Sequence, residues 1–462
     1  MKDKIIAALA RMRRENESLR DSLEESVSVS VYKDLAYVDE KGRYIWTKAI
    51  QRAIDENQSV TIPSAEHPYY VDQTLILPSN RRIEAHKEAH ICKIPEMDTV
   101  LLRNKNVRDG SHAPIPEGTG DCNITVTGGI WEDTDESNTL YHGMFDSENS
   151  MPGVDACFFF NNMTCLNIRE VRIVHAGGFG IQIGNLENAV IEDVEFVATV
   201  ADGVHINGNT KNVIVRNIFG NVADDIVALN MYDWQRSSVC FGSVENLLCE
   251  NITLADEAKY KAIRVLPGKY YYDDGTVSNC DVNNVIIRNV RGINTFKFYF
   301  QTPPYPIGGV AEQGDQGRGN NIFIQDVDIH LFSPIDAIGG YLQGDPVTGT
   351  FAAFEFGSFL GKVELKDIRI HLDQEKFPAS YLACIGPKSA RTRTVEIFDP
   401  DLSSELEELV LDNVTVNGET VTPENVKQYV HEIVFSDLYG EGGKTSSGRF
   451  KKITFKSDGA IS

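Results

Sequence analysis

A short phrase, apolar–x–Asn/Asp–apolar, recurs along the chain from about residue 121 and constrains the fold more than any other feature. It occurs at 191–194, 215–218, 287–290, 324–327, 365–368 and 411–414, between short strand-like segments. Asn, Asp and Gly tolerate the left-handed backbone conformation that a sharp corner needs. A strand–corner unit repeated in this way predicts an all-β solenoid, the right-handed parallel β-helix.

The spacing of the phrase also predicts where the loops lie. Ile191 and Val215, which begin two successive phrases, are 24 residues apart, and the later phrases are separated by longer intervals. We attribute the extra residues to loops inserted on one side of the coil. An antiparallel sandwich or barrel is the alternative, but Asn-Gly hairpins between equal strands are scarce.

The N-terminal region has a different pattern. Residues 46–56 read as an amphipathic helix, followed by strand-like segments at 60–63, 69–71 and 75–77. A helix and short strands ahead of a solenoid are typical of a cap over its first coil. We therefore divide the chain into an N-terminal amphipathic helix (1–30), a cap with the first coils (31–120) and a catalytic parallel β-helix (121–462).

The first 26 residues carry an apolar stripe at helical spacing with one polar member, formed by Ile5, Leu9, Met12, Asn16, Leu19 and Leu23. One interpretation is a helix packed on its own domain. The other is a short coil that holds a homo-oligomer together, in which Asn16 would set the register.

Composition excludes some partners. The 462 residues carry a formal net charge of −23, which disfavours nucleic acid and anionic membranes. The eight cysteines form no Cys-x-x-Cys pair, so we expect no metal or other cofactor. Scattered cysteines of this kind also predict a reducing compartment. No signal peptide and no 18-residue apolar run is recognisable, so the sequence predicts a cytoplasmic protein without a membrane span.

Two segments, 201–207 and 223–230, match when they are shifted by 23 residues. Asp202 then falls on Asp225, and Asn207 falls on Asn230. A shift of one coil would stack equivalent residues about 4.8 Å apart, so Asp202, Asp224 and Asp225 would share one patch. Mutual repulsion in such a patch favours one protonated carboxyl, which acid/base catalysis on a sugar requires.

A polar column is predicted beside these aspartates. The residue after each apolar strand position reads Gln182, His205, Ala228, Arg264 and Lys297, and Glu355 would extend the column. We expect the polar members to point outward into a groove. Aromatic residues in the neighbouring loops, which suit the apolar faces of sugar rings, are Tyr232, Trp234, the run Tyr270 to Tyr272, and Tyr305.

The region 199–267 resembles glycoside hydrolase family 28, the polygalacturonases and rhamnogalacturonases, within the pectate-lyase-like superfamily. Residues 200–203 stand where that family has Asn-Thr-Asp-Gly, residues 223–228 resemble its Gly-Asp-Asp-Cys-Ile-Ala block, and 263–265 resembles Arg-Ile-Lys. The family's Gly-His-Gly block has no counterpart, and Val200 and Leu266 replace its Asn and Lys.

The resemblance implies roles for these residues. Asp224 would be the general acid, Asp202 and Asp225 would activate water for single-step inversion, and Arg264 would bind substrate. Lys261 or Lys269 would stand in for the missing lysine. The further substrate-binding candidates are His205, Asn230, Gln182, Lys297, Trp234 and Tyr271.

The sequence therefore predicts a glycoside hydrolase for a pectin-like or other oligo- or polysaccharide. A polysaccharide lyase on the same fold is one alternative, which would leave an unsaturated product. A non-catalytic carbohydrate-binding or structural β-helix is the other.

Overall fold

The chain folds as a right-handed parallel β-helix, and 55% of its described residues are in strands and 12% in helices. The computed structural model describes residues 1–97, 100–107, 118–133, 156–233, 238–272, 274–301, 312–333, 336, 350–392, 395–398, 402–434 and 448–456. No helix in this part of the chain is long and apolar enough to cross a membrane. The chain divides into an N-terminal unit (Lys4–Ala223 with Gln235–Cys240) and a C-terminal unit (Met1–Asp3, Asp224–Trp234 and Phe241–Ser462).

The N-terminal unit contains the two helices that the sequence predicts. Helix α1 spans Lys2–Asp21, a 3-10 helix spans Val29–Leu35, and α2 spans Thr47–Glu56. The strands that follow α2 match the predicted cap strands. The strands of this unit are β1 (Val27–Ser28), β2 (Tyr37–Val38), β3 (Tyr44–Ile45), β4 (Ser59–Ile62), β5 (Tyr69–Val71), β6 (Leu75–Leu77), β7 (Arg81–Ala85), β8 (His90–Lys93), β9 (Leu102–Asn104), β10 (Asp121–Thr127), β11 (Ile130–Asp133), β12 (Ala156–Arg169), β13 (Arg172–Val174), β14 (Phe179–Thr199), β15 (Val204–Asn207) and β16 (Thr210–Val222).

Parallel ladders stack these strands coil on coil. The strands β4, β7, β10, β12, β14 and β16 form one ladder, and β5, β8, β11, β13 and β14 form another. Strand β14 has 21 residues and belongs to both, because it bends at a corner. The stack buries its alternate apolar residues in a core, for example Ile181 and Ile183.

The C-terminal unit repeats this architecture. Parallel ladders join β17, β19, β23, β26, β28 and β33, and join β18, β22, β25, β27 and β31. Its one described helix, α3, spans only Val426–Tyr429. The strands are β17 (Val227–Asn230), β18 (Val244–Leu254), β19 (Ala262–Val265), β20 (Gly268–Tyr271), β21 (Val277–Cys280), β22 (Val282–Arg291), β23 (Thr295–Phe298), β24 (Phe300–Gln301), β25 (Arg318–Leu331), β26 (Phe351–Phe356), β27 (Phe359–Leu372), β28 (Ser380–Ile385), β29 (Lys388–Thr392), β30 (Val395–Phe398), β31 (Ser404–Val416), β32 (Glu419–Thr420), β33 (Val430–Glu432), β34 (Gly448–Phe450) and β35 (Ile453–Lys456).

The recurring phrase is the corner of each coil. Its third residue has positive φ at every predicted occurrence, namely Asp193, Asn217, Asn289, Asp326, Asp367 and Asn413. Neighbouring corners are bonded side chain to side chain: Asn217 donates to Asp193 across 24 residues, and Asn413 donates to Asp367 across 46. The phrase recurs because the short amide or carboxylate side chain tolerates the left-handed turn and bonds the next coil.

Helix α1 packs on the N-terminal unit. Ile5, Leu9, Met12 and Asn16 are buried, whereas Leu19 is 41% exposed. Asn16 Nδ2 donates to the Asn188 carbonyl at 2.9 Å. The stripe is therefore covered within one chain, as the first interpretation of the sequence predicts.

Candidate active site

The two predicted acidic motifs lie in different units of the chain. In the N-terminal unit the structure pairs Gln182 on β14 with His205 on β15, as the predicted column requires. In the C-terminal unit it pairs Ala228 with Arg264, Arg264 with Lys297, and Lys297 with Glu355. The register of the polar column is thus confirmed within each unit.

The column does not line an open groove. The residues Gln182, His205 and Lys297 are fully buried, and Glu355 is 1% exposed. The alternation of strand side chains correctly predicts that they leave the apolar core. It does not predict burial of the outer face, which depends on the segments that cover each coil.

Asp202 belongs to a chain of polar contacts in the N-terminal unit. Gln182 Nε2 donates to Asn207 Oδ1 at 2.9 Å, and Asn207 Nδ2 lies 3.1 Å from His205 Nε2. His205 Nδ1 lies 2.6 Å from Asp202 Oδ2, and its ring stacks on Phe179 at 3.9 Å. An amide of Asn207 that donates to Nε2 leaves Nδ1 of the imidazole as the donor to Asp202. This hydrogen bond favours the ionised carboxylate.

Asp224 and Asp225 share one arginine in the C-terminal unit. Both precede β17, and Arg264 projects from β19 beside them. Arg264 Nη2 lies 3.2 Å from Asp224 Oδ2, and Arg264 Nε lies 2.7 Å from Asp225 Oδ2. Carboxylate oxygens of the two aspartates lie within 4.8 Å of each other. The guanidinium therefore neutralises one of two adjacent acidic charges.

The two acids differ in their surroundings. The Asp225 side chain is fully buried, whereas that of Asp224 is 17% exposed. Asp224 Oδ1 is buried and accepts no hydrogen bond from the described residues. Asp224 thus has one oxygen held by arginine and one whose hydrogen-bonding capacity is unused, which suits a group that transfers a proton.

A buried cation lies next to this group along the column. Lys297 Nζ is 4.0 Å from Glu355 Oε2, and it lies 5.7 Å and 6.0 Å from the ring centroids of Tyr260 and Tyr299. Arg264 also faces the Tyr260 ring, at 6.0 Å. Buried cations are stabilised by a carboxylate and by aromatic faces in this way. Lys297 is therefore held by protein groups in this state.

The other predicted binding residues have separate surroundings. Asn230 is buried and donates to Asp233 Oδ2 at 2.8 Å. Lys261, just before β19, is half-buried. Tyr271 is 51% exposed, and its hydroxyl donates to Asp315 Oδ1 at 2.7 Å, which raises its pKa to about 12. Trp234 and Tyr305 lie outside the described residues.

Sequence reasoning missed four of these groups. Asn207 had a signal, since it matches Asn230 in the 23-residue shift, but only Asn230 was assigned a role. Phe179, Tyr260 and Tyr299 had none, because no repeat marks the aromatic residues beside the column.

Comparisons with known proteins support the fold. No family model matches the chain, and no curated protein is similar to it in sequence. Among solved structures, a surface adhesin of Streptococcus pneumoniae, PfbA, matches with 12% identity, over 94% of this chain and 91% of that one, at a TM-score of 0.50.

Two pectin-active enzymes also match in structure. An exopolygalacturonase of Thermotoga maritima shares 14% identity over 88% of this chain and 97% of that one, at a TM-score of 0.45. A family 28 exopolygalacturonase of Yersinia enterocolitica shares 14% identity over 94% of this chain and 78% of that one, at a TM-score of 0.43. The likeness to PfbA, at 12% identity, shows the fold alone, and function rests on the site.

Proposed function

We propose that this protein is a glycoside hydrolase of the family 28 type, acting on a pectin-like or other oligo- or polysaccharide without a metal. One observation carries the proposal: Asp224 and Asp225 share Arg264, and the buried Asp224 Oδ1 has no hydrogen-bond partner among the described residues. Glycoside hydrolysis uses two carboxyl groups in unlike surroundings, one to give a proton and one to activate water or attack carbon.

Each side chain has a chemical role in this proposal. Asp224, the more exposed acid, protonates the leaving glycosidic oxygen. Asp225, buried and paired with Arg264, stays ionised and takes the proton of the attacking water. Arg264 keeps both carboxyl groups in place and neutralises one charge. Participation of Asp202 beside Asp225 is a prediction from the 23-residue shift.

The stereochemistry of the product tests the assignment of Asp225. Inversion follows from activation of a water, and it requires carboxyl groups about 6.5–9.5 Å apart. Retention uses groups about 5–5.5 Å apart, and it would make Asp225 a nucleophile. Proton NMR of the first anomer released distinguishes the two. The resemblance to family 28 favours inversion, whereas oxygens of Asp224 and Asp225 lie within 4.8 Å of each other, which is nearer the spacing of retaining enzymes.

The reaction class is tested with a panel of pectic and neutral oligosaccharides in water enriched in ¹⁸O. A hydrolase places one ¹⁸O atom in each new reducing end. A lyase forms an unsaturated product that absorbs ultraviolet light and contains no new oxygen. Saccharide binding without any product would assign the protein to the non-catalytic class and contradict the proposal.

A further inference from the structure

Four side chains of metal-ligating type converge on an outer face of the N-terminal unit. His90 and Cys92 belong to β8, Glu132 to β11, and His175 follows β13 directly. Cys92 and Glu132 are register partners on neighbouring strands. These strands belong to three successive coils, so the cluster spans two coil-to-coil steps.

Donor atoms of His90, Cys92 and Glu132 lie within 4.8 Å of one another, and His175 contacts the same carboxylate from its other oxygen. His90 Nε2 is 2.6 Å and Cys92 Sγ is 3.8 Å from Glu132 Oε2. His175 Nδ1 is 2.9 Å from the other oxygen, Oε1. His175 has φ of 53°, a left-handed conformation that is uncommon for residues other than glycine. Ala198, which follows the register partner of Val174 in the next coil, has the same conformation with φ of 55°, so His175 occupies a corner of the coil that presents its imidazole to Glu132.

The partial burial of the cluster and the charge of its ligands also suit a cation. Cys92 is 4% exposed, whereas the His175 side chain is 56% exposed, so the cluster is closed on one side and open to solvent on the other. The protonated thiol donates to Glu132 in this state. A thiolate with Glu132 would supply two negative charges, which match a divalent ion.

A second cluster, Asp328, His330 and His371, also has donor atoms within 4.8 Å of one another, but its two imidazole rings are stacked. In the C-terminal unit, His330 Nε2 and His371 Nε2 each lie 3.3 Å from Asp328 Oδ1. Their rings are stacked, with centroids 4.4 Å apart and planes 7° apart. The in-plane lone pairs of two stacked imidazoles run side by side and do not meet at one ion. The imidazoles of His90 and His175, by contrast, reach different oxygens of Glu132.

We propose that His90, Cys92 and Glu132, whose donor atoms lie within 4.8 Å of one another, bind one divalent transition-metal ion of the zinc type, with His175 as the fourth ligand on the solvent-exposed side. One sulfur, two nitrogens and one carboxylate oxygen form a ligand set that zinc accepts in tetrahedral geometry. On binding, the ion replaces the thiol proton, which passes to solvent, and a metal–sulfur bond forms. The ion would link three successive coils of the N-terminal unit, independently of the proposed hydrolase site.

The test uses the full chain, freed of metal with a chelator and titrated with Co²⁺. We expect one Co²⁺ per chain and the near-ultraviolet charge-transfer band of a cobalt–thiolate bond, which Zn²⁺ abolishes by displacement. Cys92→Ser should eliminate the band. Loss of groups that only support ligands weakens metal binding about 10–100-fold, so His175→Ala should weaken Zn²⁺ binding by at least about tenfold.

Two variants serve as matched controls. Cys165→Ser removes a half-buried thiol of the same unit, and His371→Ala disrupts the stacked pair. Both should keep the band and the stoichiometry. If Cys92→Ser fails to fold, Glu132→Gln gives the same test through weaker Zn²⁺ binding. Absence of Co²⁺ binding, binding without the band, or a band that persists in Cys92→Ser would overturn the proposal.

Discussion

At the scale of single residues, Arg264 determines whether two adjacent acids are tolerated. Its side chain is 12% exposed, and it makes ion pairs with both Asp224 and Asp225. Removal of one partner from a buried ion pair leaves an uncompensated charge, which costs far more than loss of an exposed pair. Arg264 therefore contributes to stability as well as to the proposed chemistry.

Arg264→Met keeps the length of the side chain and removes its charge. We expect it to lower the free energy of unfolding by about 3 kcal/mol, because both aspartates lose their cation. Urea denaturation measures this change. Arg288→Met is the control, since Arg288 pairs with Glu250 in a more exposed position and should contribute about 1 kcal/mol or less. Equal effects of the two substitutions would contradict the role given to Arg264.

At the scale of elements, the corners of the coils combine a backbone conformation with a side-chain bond. Asn289 on β22 has φ of 53°, and its Nδ2 donates to Asn251 Oδ1 at 2.7 Å. Both features arise from one amide side chain, so two substitutions separate them.

Asn289→Gly removes the side-chain bond and keeps the left-handed turn at little cost. Asn289→Ala removes the bond and adds conformational strain of about 1–2 kcal/mol. We expect Ala to be the more destabilising by about 1 kcal/mol in thermal or urea unfolding. Equal stability of the two variants would show that the left-handed conformation is not what selects Asn at the corner.

Helix α1 is an element whose sequence allowed two interpretations, and Asn16 distinguishes them. Asn16→Leu leaves the Asn188 carbonyl without the Asn16 amide, so we expect a loss of about 1–3 kcal/mol and no change in molar mass. In an oligomeric coil, the same substitution would strengthen association. Light scattering after gel filtration, with urea denaturation, measures both. Increased mass with increased stability would contradict the packing of α1 on its own unit.

At the scale of the whole molecule, the eight cysteines report on the integrity of the fold. All are free thiols in the described part of the chain, and Cys122 alone among them is exposed while Cys165 is half-buried. Burial raises the pKa of the Cys157 and Cys249 thiols, and only thiolates react readily.

We expect a maleimide to modify Cys122 first in the native chain, followed slowly by Cys165. The six buried cysteines should react only after denaturation. Mass spectrometry of proteolytic peptides measures the order. Early modification of Cys157 or Cys249 in native protein would contradict the packed coils described here.

Most of the fold can be predicted from the sequence, because the residue types at the corners determine where each coil turns. The corner phrase needs a left-handed residue such as Asn217 or Asn289, so its recurrence predicts both the coil and its register. The site was predicted less fully. The register of the strands predicts that Arg264 and Lys297 are neighbours. The burial of Lys297 and its contact with the Tyr260 ring depend on segments of the chain that do not repeat, so the sequence pattern does not predict them.

The central claim is that Asp224 gives a proton to a glycosidic oxygen, and reducing-end release tests it most directly. The Asp224→Asn variant should be compared with the native chain and with Asp274→Asn, which alters an exposed turn of the same unit. A general acid contributes about 10²–10⁴-fold to the rate. We predict a fall of at least about a hundredfold for Asp224→Asn and none for Asp274→Asn. Saccharide cleavage at the native rate by folded Asp224→Asn would contradict the account.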